Sequence, residues 1–393
     1  MAAATPAPPI RNARIALFVV FGLNGMLSAL WIVHIPAVTE RTGVSHSLLG
    51  MLILLMAGCA IIGMQAAGPL ADRFGSRTLT ATAATLLSLA LIGPGLATNP
   101  ATLAAALAFF GIGMGMLDVS MNAQAVHIER AYPRPIMSAF HAFFSLGGLL
   151  GSLAGAAAQR ADWPVHTTLL VSAALGLAAV ALCTPRLLPH EPVPAPTPEP
   201  LPKSIGTLTA ISRKVLVLGI IAFAVLMAEG VAADWSALQL RDRLGVDVGT
   251  AALAYGAFST TMTAGRLVAD RVSGRIGRVA VVRWGTVLGA FGFGLIALSG
   301  WLPLTLFGWA LVGIGLSGAV PQVFTAAGNL GSATAATDMS RVFGLGYMGL
   351  LAGPAIIGWL TKLVPLTTAM VVPLVALLLC AWAAGAVGTR AEN

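Results

Sequence analysis

The sequence predicts an all-α membrane protein of twelve transmembrane helices, arranged as two pseudo-symmetric six-helix bundles. Of its 393 residues, 57% are hydrophobic and 9% are charged, whereas an ordinary soluble domain has about 25% charged residues. Apolar runs of about twenty residues recur along the whole chain, and each is long enough to cross a bilayer as a helix. A proline-rich stretch separates two halves with the same pattern of runs.

The N-terminal half predicts a cytoplasmic tail at 1–13 and a six-helix bundle at 14–184. The first apolar run is too long for the core of a cleaved signal peptide, so we interpret it as a retained span. The sixth run ends near Cys183. The predicted spans before it cover residues 15–38, 48–67, 79–96, 102–126 and 137–158.

The stretch that divides the halves contains PHEPVPAPTPEPLP. Repeated prolines cannot form a helix and favour an extended, semi-rigid chain, so residues 185–212 are predicted to be a cytoplasmic linker. The second six-helix bundle follows at 213–386, and 387–393 form a short cytoplasmic tail.

The second half repeats the first. IGMGMLDVSMNAQ at 112–124 matches VGIGLSGAVPQVF at 312–324 with an offset of 200 residues. This register pairs Asn122 with Gln322 and places Gly318 opposite Asp118. Parallel repeats of six helices are one way in which transporter folds are built.

Charge placement predicts the orientation. The net charge is +8, but no block of Lys and Arg is interleaved with aromatic residues, so a nucleic-acid partner is not expected. One side of the membrane receives 17 of the 22 Lys and Arg, including those near the N-terminus. The excess marks that side as cytoplasmic. We therefore expect a multi-pass protein of the plasma or inner membrane with both termini in the cytoplasm. The other five basic residues are Arg41, Arg160, Arg241, Arg243 and Lys362.

Asp118 is the acid within the fourth span, where a carboxylate is costly unless it faces a bundle interior or a watery cavity. Asn122 follows at i+4 on the same face. Glu229 lies near the midpoint of the seventh span. Burial disfavours the charged form of a carboxylate, so we assign proton coupling to Asp118 and Glu229. For Glu229, pairing with a facing hydroxyl or backbone group stays open.

Further polar and aromatic residues are predicted to line a central cavity. For His141, a hydrogen bond to a neighbouring helix is an alternative to carrying a proton. For Trp235, anchoring at the membrane interface is an alternative to stacking on a solute. Asp234 and Arg241 are candidates for an outer gate, with substrate contact open for Asp234. The complete set of predicted cavity residues is Asn24, Asn122, His141, Phe144, Trp235, Gln322 and Tyr347.

The turn after the second span reads GPLADRFGSR. Its glycines suit a tight turn, Asp72 can accept hydrogen bonds from the N-terminus of a facing helix, and the arginines can pair with acids or phosphates. The sequence resembles the signature loop of the major facilitator superfamily. That resemblance implies a cytoplasmic gate formed by Gly68, Asp72, Arg73, Gly75 and Arg77, and by Asp270 and Arg271 in the second copy.

The fourth and fifth spans narrow the resemblance. The L-D-x-x-x-N pattern of Leu117, Asp118 and Asn122, followed by F-x-S-x-G, is similar to the fucose–proton symporter branch. The acid of that branch lies in the central cavity and handles substrate and protons, which the resemblance transfers to Asp118. The branch has Glu at this position, a polar sugar-contacting residue where Phe144 stands, and a first-span acid where Asn24 is the nearest polar group.

These patterns predict secondary active transport of a small polar, sugar-like solute by alternating access, coupled to protons. The expected partners are the solute, protons and the bilayer, and the protein is expected to be a monomer. Export of a more hydrophobic compound and a non-transporting receptor on the same fold are the alternatives. HExxH and G-x-S-x-G are absent from the sequence, so we expect neither an enzyme nor a cofactor or metal. The three cysteines are far apart in apolar runs and do not predict disulfides.

Overall fold

The computed structural model describes residues 7–189, 212–330 and 335–388, and the regular structure within these ranges is helical throughout. The predicted linker falls almost entirely on 190–211, outside the described residues. The six spans of the N-terminal half are α1 (Pro8–Thr42), α2 (His46–Phe74), α3 (Ser76–Ala90 and Ile92–Leu96), α4 (Pro100–Glu129), α5 (Met137–Arg160) and α6 (Val165–Cys183).

The C-terminal half contains six further spans. Two of them are interrupted, since α10 breaks at Ser317–Gly318 and α12 at Met370. The spans are α7 (Arg213–Leu244), α8 (Val248–Ile276), α9 (Arg278–Leu298), α10 (Leu302–Leu316 and Ala319–Gly328), α11 (Ala335–Leu360) and α12 (Leu366–Ala369 and Val371–Ala383, with a final 3₁₀ turn at Ala384–Val387).

Eleven of these spans are long and apolar enough to cross a membrane. The remaining one, α8, has 29 residues and carries charged side chains along its second half, including Arg266 and Asp270. The described chain therefore has the predicted number of spans. The first helix begins at Pro8, within the predicted tail, because proline is well tolerated in the first turn of a helix.

Glycines at the helix ends reveal the register of the internal repeat. Gly43 and Gly245 have φ of 68° and 66°, and Gly75 and Gly277 have φ of 85° and 84°. A side chain rarely adopts these angles, so glycine is favoured at each position. Both pairs are 202 residues apart. The structural repeat therefore differs by two residues from the sequence offset of 200.

Helix packing gives the same register. A Cβ added to Gly111 on α4 would lie 2.1 Å from the carbonyl oxygen of Met56, and one added to Gly313 on α10 would lie 2.2 Å from that of Phe258. Gly313 follows Gly111 by 202 positions, and Phe258 follows Met56 by the same number. By this register, the counterpart of Asp118 is Val320. The predicted pairing of Asp118 with Gly318 is therefore corrected.

Close helix packing also explains the predicted glycine stripe of α5. A Cβ on Gly147 would lie 1.9 Å from the carbonyl oxygen of Gly22 on α1, and the equivalent distance from Gly349 on α11 to Phe223 on α7 is 2.1 Å. Small residues at such crossings let two helix backbones touch. The α1–α5 and α7–α11 pairs thus form matching frameworks on the two sides of the protein.

The two halves meet through α2 against α11 and α5 against α8. The face of the protein that carries the α2–α3, α4–α5 and α8–α9 connections is named here the latch face. The opposite face, which carries the α1–α2 and α7–α8 connections, is named the mouth face. These names describe the position of the connections and are used below for the site.

Candidate substrate cavity and latch face

A cavity of about 400 Å³ lies between the two halves. Both halves contribute to its wall, through α1, α2, α4 and α5 on one side and α7, α8, α10 and α11 on the other. Most of the lining side chains are aliphatic, aromatic or thioether groups, and they surround a small polar group. The apolar lining includes Phe21, Trp31, Ile32, Ile35, Ile53, Met56, Phe110, Met114, Met121, Phe144, Leu226, Val320, Phe324 and Leu350.

The cavity opens towards the mouth face. Ile32 and Ile53 line it near that face and are 61% and 37% exposed, whereas Phe21 and Phe324 line its deeper part and are at most 2% exposed. Aromatic rings therefore close the cavity towards the latch face. This arrangement gives a solute access from one side of the protein.

Asp118 lies in the cavity wall on α4 and is 7% exposed. Its Oδ1 accepts a hydrogen bond of 3.3 Å from Nδ2 of Asn122, whose Nδ2 also donates to the Asp118 carbonyl oxygen at 2.8 Å. Tyr347 lines the same cavity from α11, in the other half, and its hydroxyl interacts with this carboxylate. Within the described residues, no cation forms a salt bridge with Asp118, and the side chain that donates to its carboxylate, Asn122, is neutral.

Glu229 on α7 faces the same cavity and pairs with a cation. Its Oε1 lies 3.3 Å from Nη2 of Arg266 on α8. Nη1 of Arg266 donates to Oγ of Ser145 on α5 at 3.1 Å. The ion pair therefore also connects the two halves of the protein.

The sequence pattern does not single out Arg266, which the predicted topology counts with the cytoplasmic charges. The structure places it in the cavity wall, so that count is corrected. A signal was available, since Arg266 precedes Asp270 by one helical turn, and a turn of α-helix moves a residue about 5.4 Å along the axis. Extending the span backwards from the gate aspartate would have placed the arginine inside the membrane.

His141 and Phe144, both on α5, also line the cavity. The imidazole of His141 lies among aromatic rings, 5.5 Å from that of Phe21 and 6.0 Å from that of Phe324 between ring centroids. Its buried Nε2 has no hydrogen-bond partner among the described residues. Of the predicted cavity residues, the structure thus brings together His141, Phe144 and Tyr347, next to Asp118 and Glu229.

Four predicted cavity residues do not belong to this lining. Asn24 is buried behind it, with its Nδ2 3.9 Å from Sδ of Met121. Asn122 is buried and donates to Asp118. Trp235 donates from Nε1 to the carbonyl oxygen of Pro354 at 3.2 Å. Gln322 accepts a hydrogen bond of 3.2 Å from Ser273 and, by the 202-residue register, is not the counterpart of Asn122.

Asp72 and Asp270 connect the halves at the latch face. Asp72 accepts hydrogen bonds from the backbone of Ala336 and Thr337 at 3.1 Å each and from Oγ1 of Thr337 at 2.7 Å. Asp270 accepts from the backbone of Ser138 and Ala139 at 2.9 and 2.7 Å. Each carboxylate caps the positive N-terminal end of a helix in the other half, which is α11 for Asp72 and α5 for Asp270.

Glu129, at the end of α4, is a latch-face residue that the sequence analysis missed. Its Oε1 accepts from the backbone of Ile136 and Met137 at 2.8 and 3.1 Å. Its Oε2 accepts from Thr325 at 2.9 Å and lies 3.6 Å from Arg278, both in the C-terminal half. The sequence places Glu129 in a basic loop, HIERAYPRP, and gives no indication of these partners.

The other predicted gate residues have different surroundings. Gly68 permits close approach of α2 and α11, since a Cβ there would lie 2.7 Å from Cα of Thr337. The Arg73 guanidinium lies 5.1 Å from the ring centroid of Phe74. Arg77 is half-buried and Arg271 is exposed.

At the mouth face, Asp234 and Arg241 are exposed on α7, and no salt bridge joins them in the described part of the chain. Their role as an outer gate stays a prediction. The described residues also contain no group of three or more His, Cys, Asp or Glu side chains that could hold a metal ion.

Comparison with known proteins places this architecture among transporters. Residues 16–233 match the Major Facilitator Superfamily. The chain is 34% identical over 373 residues to an uncharacterized MFS-type transporter of Yersinia pestis, with 93% of each protein covered. It is 31% identical over 351 residues to the membrane protein MosC of Rhizobium meliloti, covering 89% of this chain and 84% of MosC.

Two solved structures share the fold. The transporter FucP in the outward conformation superposes with a TM-score of 0.81 at 13% sequence identity, covering 96% of this chain and 98% of FucP. The human organic anion transporter MFSD10 superposes with a TM-score of 0.76 at 18% identity, covering 96% of this chain and all of that one. At these identities the likeness concerns the fold alone.

Proposed function

This chain belongs to the Major Facilitator Superfamily and is a multi-pass membrane transporter, and from that premise we propose that it moves a small organic solute together with protons by alternating access. The predicted family and the predicted all-helical fold are confirmed by the matches described above. The proton coupling, the solute and the direction of transport belong to the proposal.

The environment of Asp118 carries the proposal of proton coupling. A carboxylate that is removed from water needs a cation, several strong donors or a proton to offset the cost of its charge. Asp118 receives a side-chain hydrogen bond from Asn122 and lies near the Tyr347 hydroxyl, and no salt bridge within the described residues supplies a cation. It also faces the cavity, so a proton can reach it from water there. Asp118 therefore binds and releases a proton during the transport cycle.

The latch face supports alternating access. Asp72, Asp270 and Glu129 all hold the two halves together at this face, while the cavity opens at the other. The predicted charge asymmetry assigns the latch face to the cytoplasm. The structure then corresponds to a state that is open to the outside, and transport requires these three contacts to break as the mouth closes.

The cavity limits the solute. Its volume of about 400 Å³ falls in the range of about 300–1,000 Å³ for pockets that accept drug-sized ligands. Asp118, Tyr347 and the Glu229–Arg266 pair supply polar contacts. Phe144 stands where a sugar-contacting polar residue is expected in the fucose–proton symporter branch, so we favour a solute with a substantial apolar part. Export of a hydrophobic compound is the second candidate, and the predominance of apolar lining favours it.

Two linked measurements on the purified, full-length protein test the proposal. A panel of sugars, nucleosides, amino acids, organic acids and hydrophobic drugs is first screened for thermal stabilisation at pH 5.5 and 7.5. Uptake of the stabilising compounds into proteoliposomes is then driven by an imposed pH gradient. We expect Asp118→Asn to lower gradient-driven uptake by about 100-fold while retaining solute exchange, because a neutral amide cannot carry the proton.

The matched control is Asp242→Asn, which neutralises an exposed acid at the end of α7 and should leave uptake unchanged. Undiminished gradient-driven uptake by Asp118→Asn would contradict proton coupling through this residue. If only hydrophobic drugs stabilised the protein, and the pH gradient drove their efflux, the result would favour export of a hydrophobic compound.

A further inference from the structure

The cavity contains an arginine whose hydrogen bonding is incomplete. The Arg266 side chain is 14% exposed. A guanidinium carries five N–H donors, and here Nη1 contacts Ser145, Nη2 contacts Glu229, and the buried Nε has no partner among the described residues. The contact with Glu229 joins one nitrogen to one oxygen at 3.3 Å, rather than two parallel pairs. Arg266 therefore retains the capacity to bind a second carboxylate.

From this geometry we propose that the cavity accepts an organic monocarboxylate with an apolar body, whose carboxylate replaces Glu229 on Arg266. The inference rests on the proposed transport function and specifies its solute. A guanidinium binds a carboxylate best through two parallel hydrogen bonds, which the present contact with Glu229 does not form. The Glu229 side chain is 23% exposed, more than that of Arg266, so it can turn towards water when a solute enters.

The rest of the wall suits the apolar part of such a molecule. Phe144, Met114 and Leu350 are among the side chains that surround the polar group. A polyhydroxylated solute would leave many hydroxyl groups against these walls without partners, at a cost for each buried group. A monocarboxylate with an apolar body needs strong polar contacts at one end only. The single cation in the described cavity wall supplies them.

The charges around Arg266 also make binding of the solute's carboxylate depend on protonation of neighbouring groups. The titratable groups that line the same cavity are Asp118, His141, Glu229 and Tyr347, on α4, α5, α7 and α11. If Asp118 is protonated, Glu229 and Arg266 balance each other. A carboxylate that takes the arginine leaves Glu229 unpaired, so a proton on Glu229 restores neutrality. Binding of the anion is therefore expected to be tighter at low pH, through Glu229.

Arg266 is also positioned to report occupancy to the latch face. It lies one helical turn from Asp270 on α8, and Asp270 caps α5. The guanidinium contacts Ser145 on that same helix. A solute that draws Arg266 away from Ser145 removes a contact between α5 and α8, next to the contact that must break for the latch face to open.

The test uses matched ligands and the purified full-length transporter. Phenylpropanoate, cyclohexylacetate and hexanoate are each compared with their carboxamides by ligand-induced thermal stabilisation and by titration at pH 5.5 and 7.5. We expect wild-type protein to bind at least one acid about 10- to 100-fold more tightly than its amide, since a charged, bidentate pair replaces a neutral contact. Glu229→Gln should bind that acid about tenfold more tightly at pH 7.5 than wild type does, and its affinity should depend less on pH, with Asp118 responsible for the dependence that remains.

Arg266→Gln should lose the preference for acid over amide. Arg266→Lys keeps the charge without the planar fork, so it should retain a reduced preference for the acid over the amide. Thermal unfolding of both Arg266 variants checks that each is folded. Arg283→Gln neutralises an arginine near the start of α9, which donates to the Ala381 carbonyl on α12, and should behave as wild type.

Equal stabilisation by acids and amides, or by neither, in both wild type and Glu229→Gln would overturn the inference, as would an acid preference that survives in Arg266→Gln. The proposed function fails by a different result, namely full gradient-driven uptake in Asp118→Asn. A neutral solute whose uptake depends on Asp118 would refute only the organic-acid inference.

Discussion

In the N-terminal half, α4 places Asp118 in the cavity wall, whereas Val320 occupies the matching position on α10 in the C-terminal half. The C-terminal half instead contributes the Glu229–Arg266 pair. One half thus presents an acid with neutral partners and the other a compensated pair of opposite charges. Under the proposed function, Asp118 carries the transported proton, whereas the C-terminal pair binds the solute and takes up a proton only when the solute displaces Glu229 from Arg266.

The framework around these groups is repeated much more faithfully. The left-handed glycines at the helix ends and the glycine contacts between helices recur at a spacing of 202 residues or close to it. Backbone contacts tolerate little change, because any added side-chain atom collides with a carbonyl group. Side chains in a water-accessible cavity are free of that constraint. The halves could therefore keep one scaffold and acquire different chemistry.

The largest expected effect comes from breaking this scaffold. Gly147→Ala and Gly349→Ala each place a methyl group about 2 Å from a backbone oxygen of the partner helix. The helices must separate, so we expect each substitution to cost about 1–3 kcal/mol or more. The measurement is the loss of folded protein on heating in detergent. Similar losses from both substitutions would show that the two frameworks are equivalent.

Two helical glycines with more space around them provide the controls. A Cβ on Gly148 would lie 3.8 Å from its nearest neighbour, and one on Gly294 would lie 3.6 Å away. These are ordinary van der Waals distances, so Gly148→Ala and Gly294→Ala should retain wild-type stability. Equal losses from the control and test substitutions would mean that general helix flexibility, and not close packing, determines the result.

The next effect concerns the two capping aspartates. Asp72→Asn and Asp270→Asn each remove a charge from the N-terminus of a helix in the other half, and each should weaken the latch face by about 1–2 kcal/mol. That loss corresponds to a shift of roughly tenfold in the population closed at this face. Distances between spin labels attached across the latch face measure the shift. The double variant should shift further than either single variant.

Unequal behaviour would sharpen the comparison of the halves. Asp72 accepts three hydrogen bonds and Asp270 two, so the first substitution should have the greater effect. An unchanged distance distribution in the double variant would show that the other contacts across this face, including those of Glu129 and Arg130, hold it closed. Asp242→Asn, at the other face, serves as the unaffected control.

Much of this arrangement could be predicted from the sequence. Long apolar runs predicted the spans because the bilayer requires helices of nearly fixed length. The intramembrane acid predicted a role for Asp118, since such groups are costly elsewhere, and the structure places it in the cavity. The loop pattern predicted that Asp72 can meet a helix N-terminus, and the structure shows the contact with α11.

The remaining features depend on distances between helices that a sequence does not encode locally. Arg266 was assigned to the cytoplasm because it lies near other basic residues in GRLVADRVSGR. The partners of Glu129 come from α9 and α10, far along the chain. The offset of 200 residues taken from the sequence is two residues shorter than the structural repeat, because small apolar residues match one another in several registers. Backbone angles of the terminal glycines resolve it.

The smallest expected effect compares two buried amides. Asn122 donates to the Asp118 carboxylate, whereas Gln322, its partner in the sequence alignment, binds Ser273 away from the cavity lining. Each substitution by alanine removes hydrogen bonds worth about 1 kcal/mol. Asn122→Ala should therefore lower gradient-driven uptake about fivefold and change its pH dependence, while Gln322→Ala should lower stability by a similar free energy and leave the pH profile unchanged.

Uptake measured at several pH values, together with thermal unfolding of both variants, separates these outcomes. If Gln322→Ala also changed the pH profile, the environment of Asp118 would extend to α10, and Asn122 would not be specific to the proton site. If neither variant changed it, the nearby hydroxyl of Tyr347, rather than Asn122, would determine how Asp118 binds its proton. Because Tyr347 lies on α11, whose first turn is capped by Asp72, that result would connect the proton site directly to the latch face.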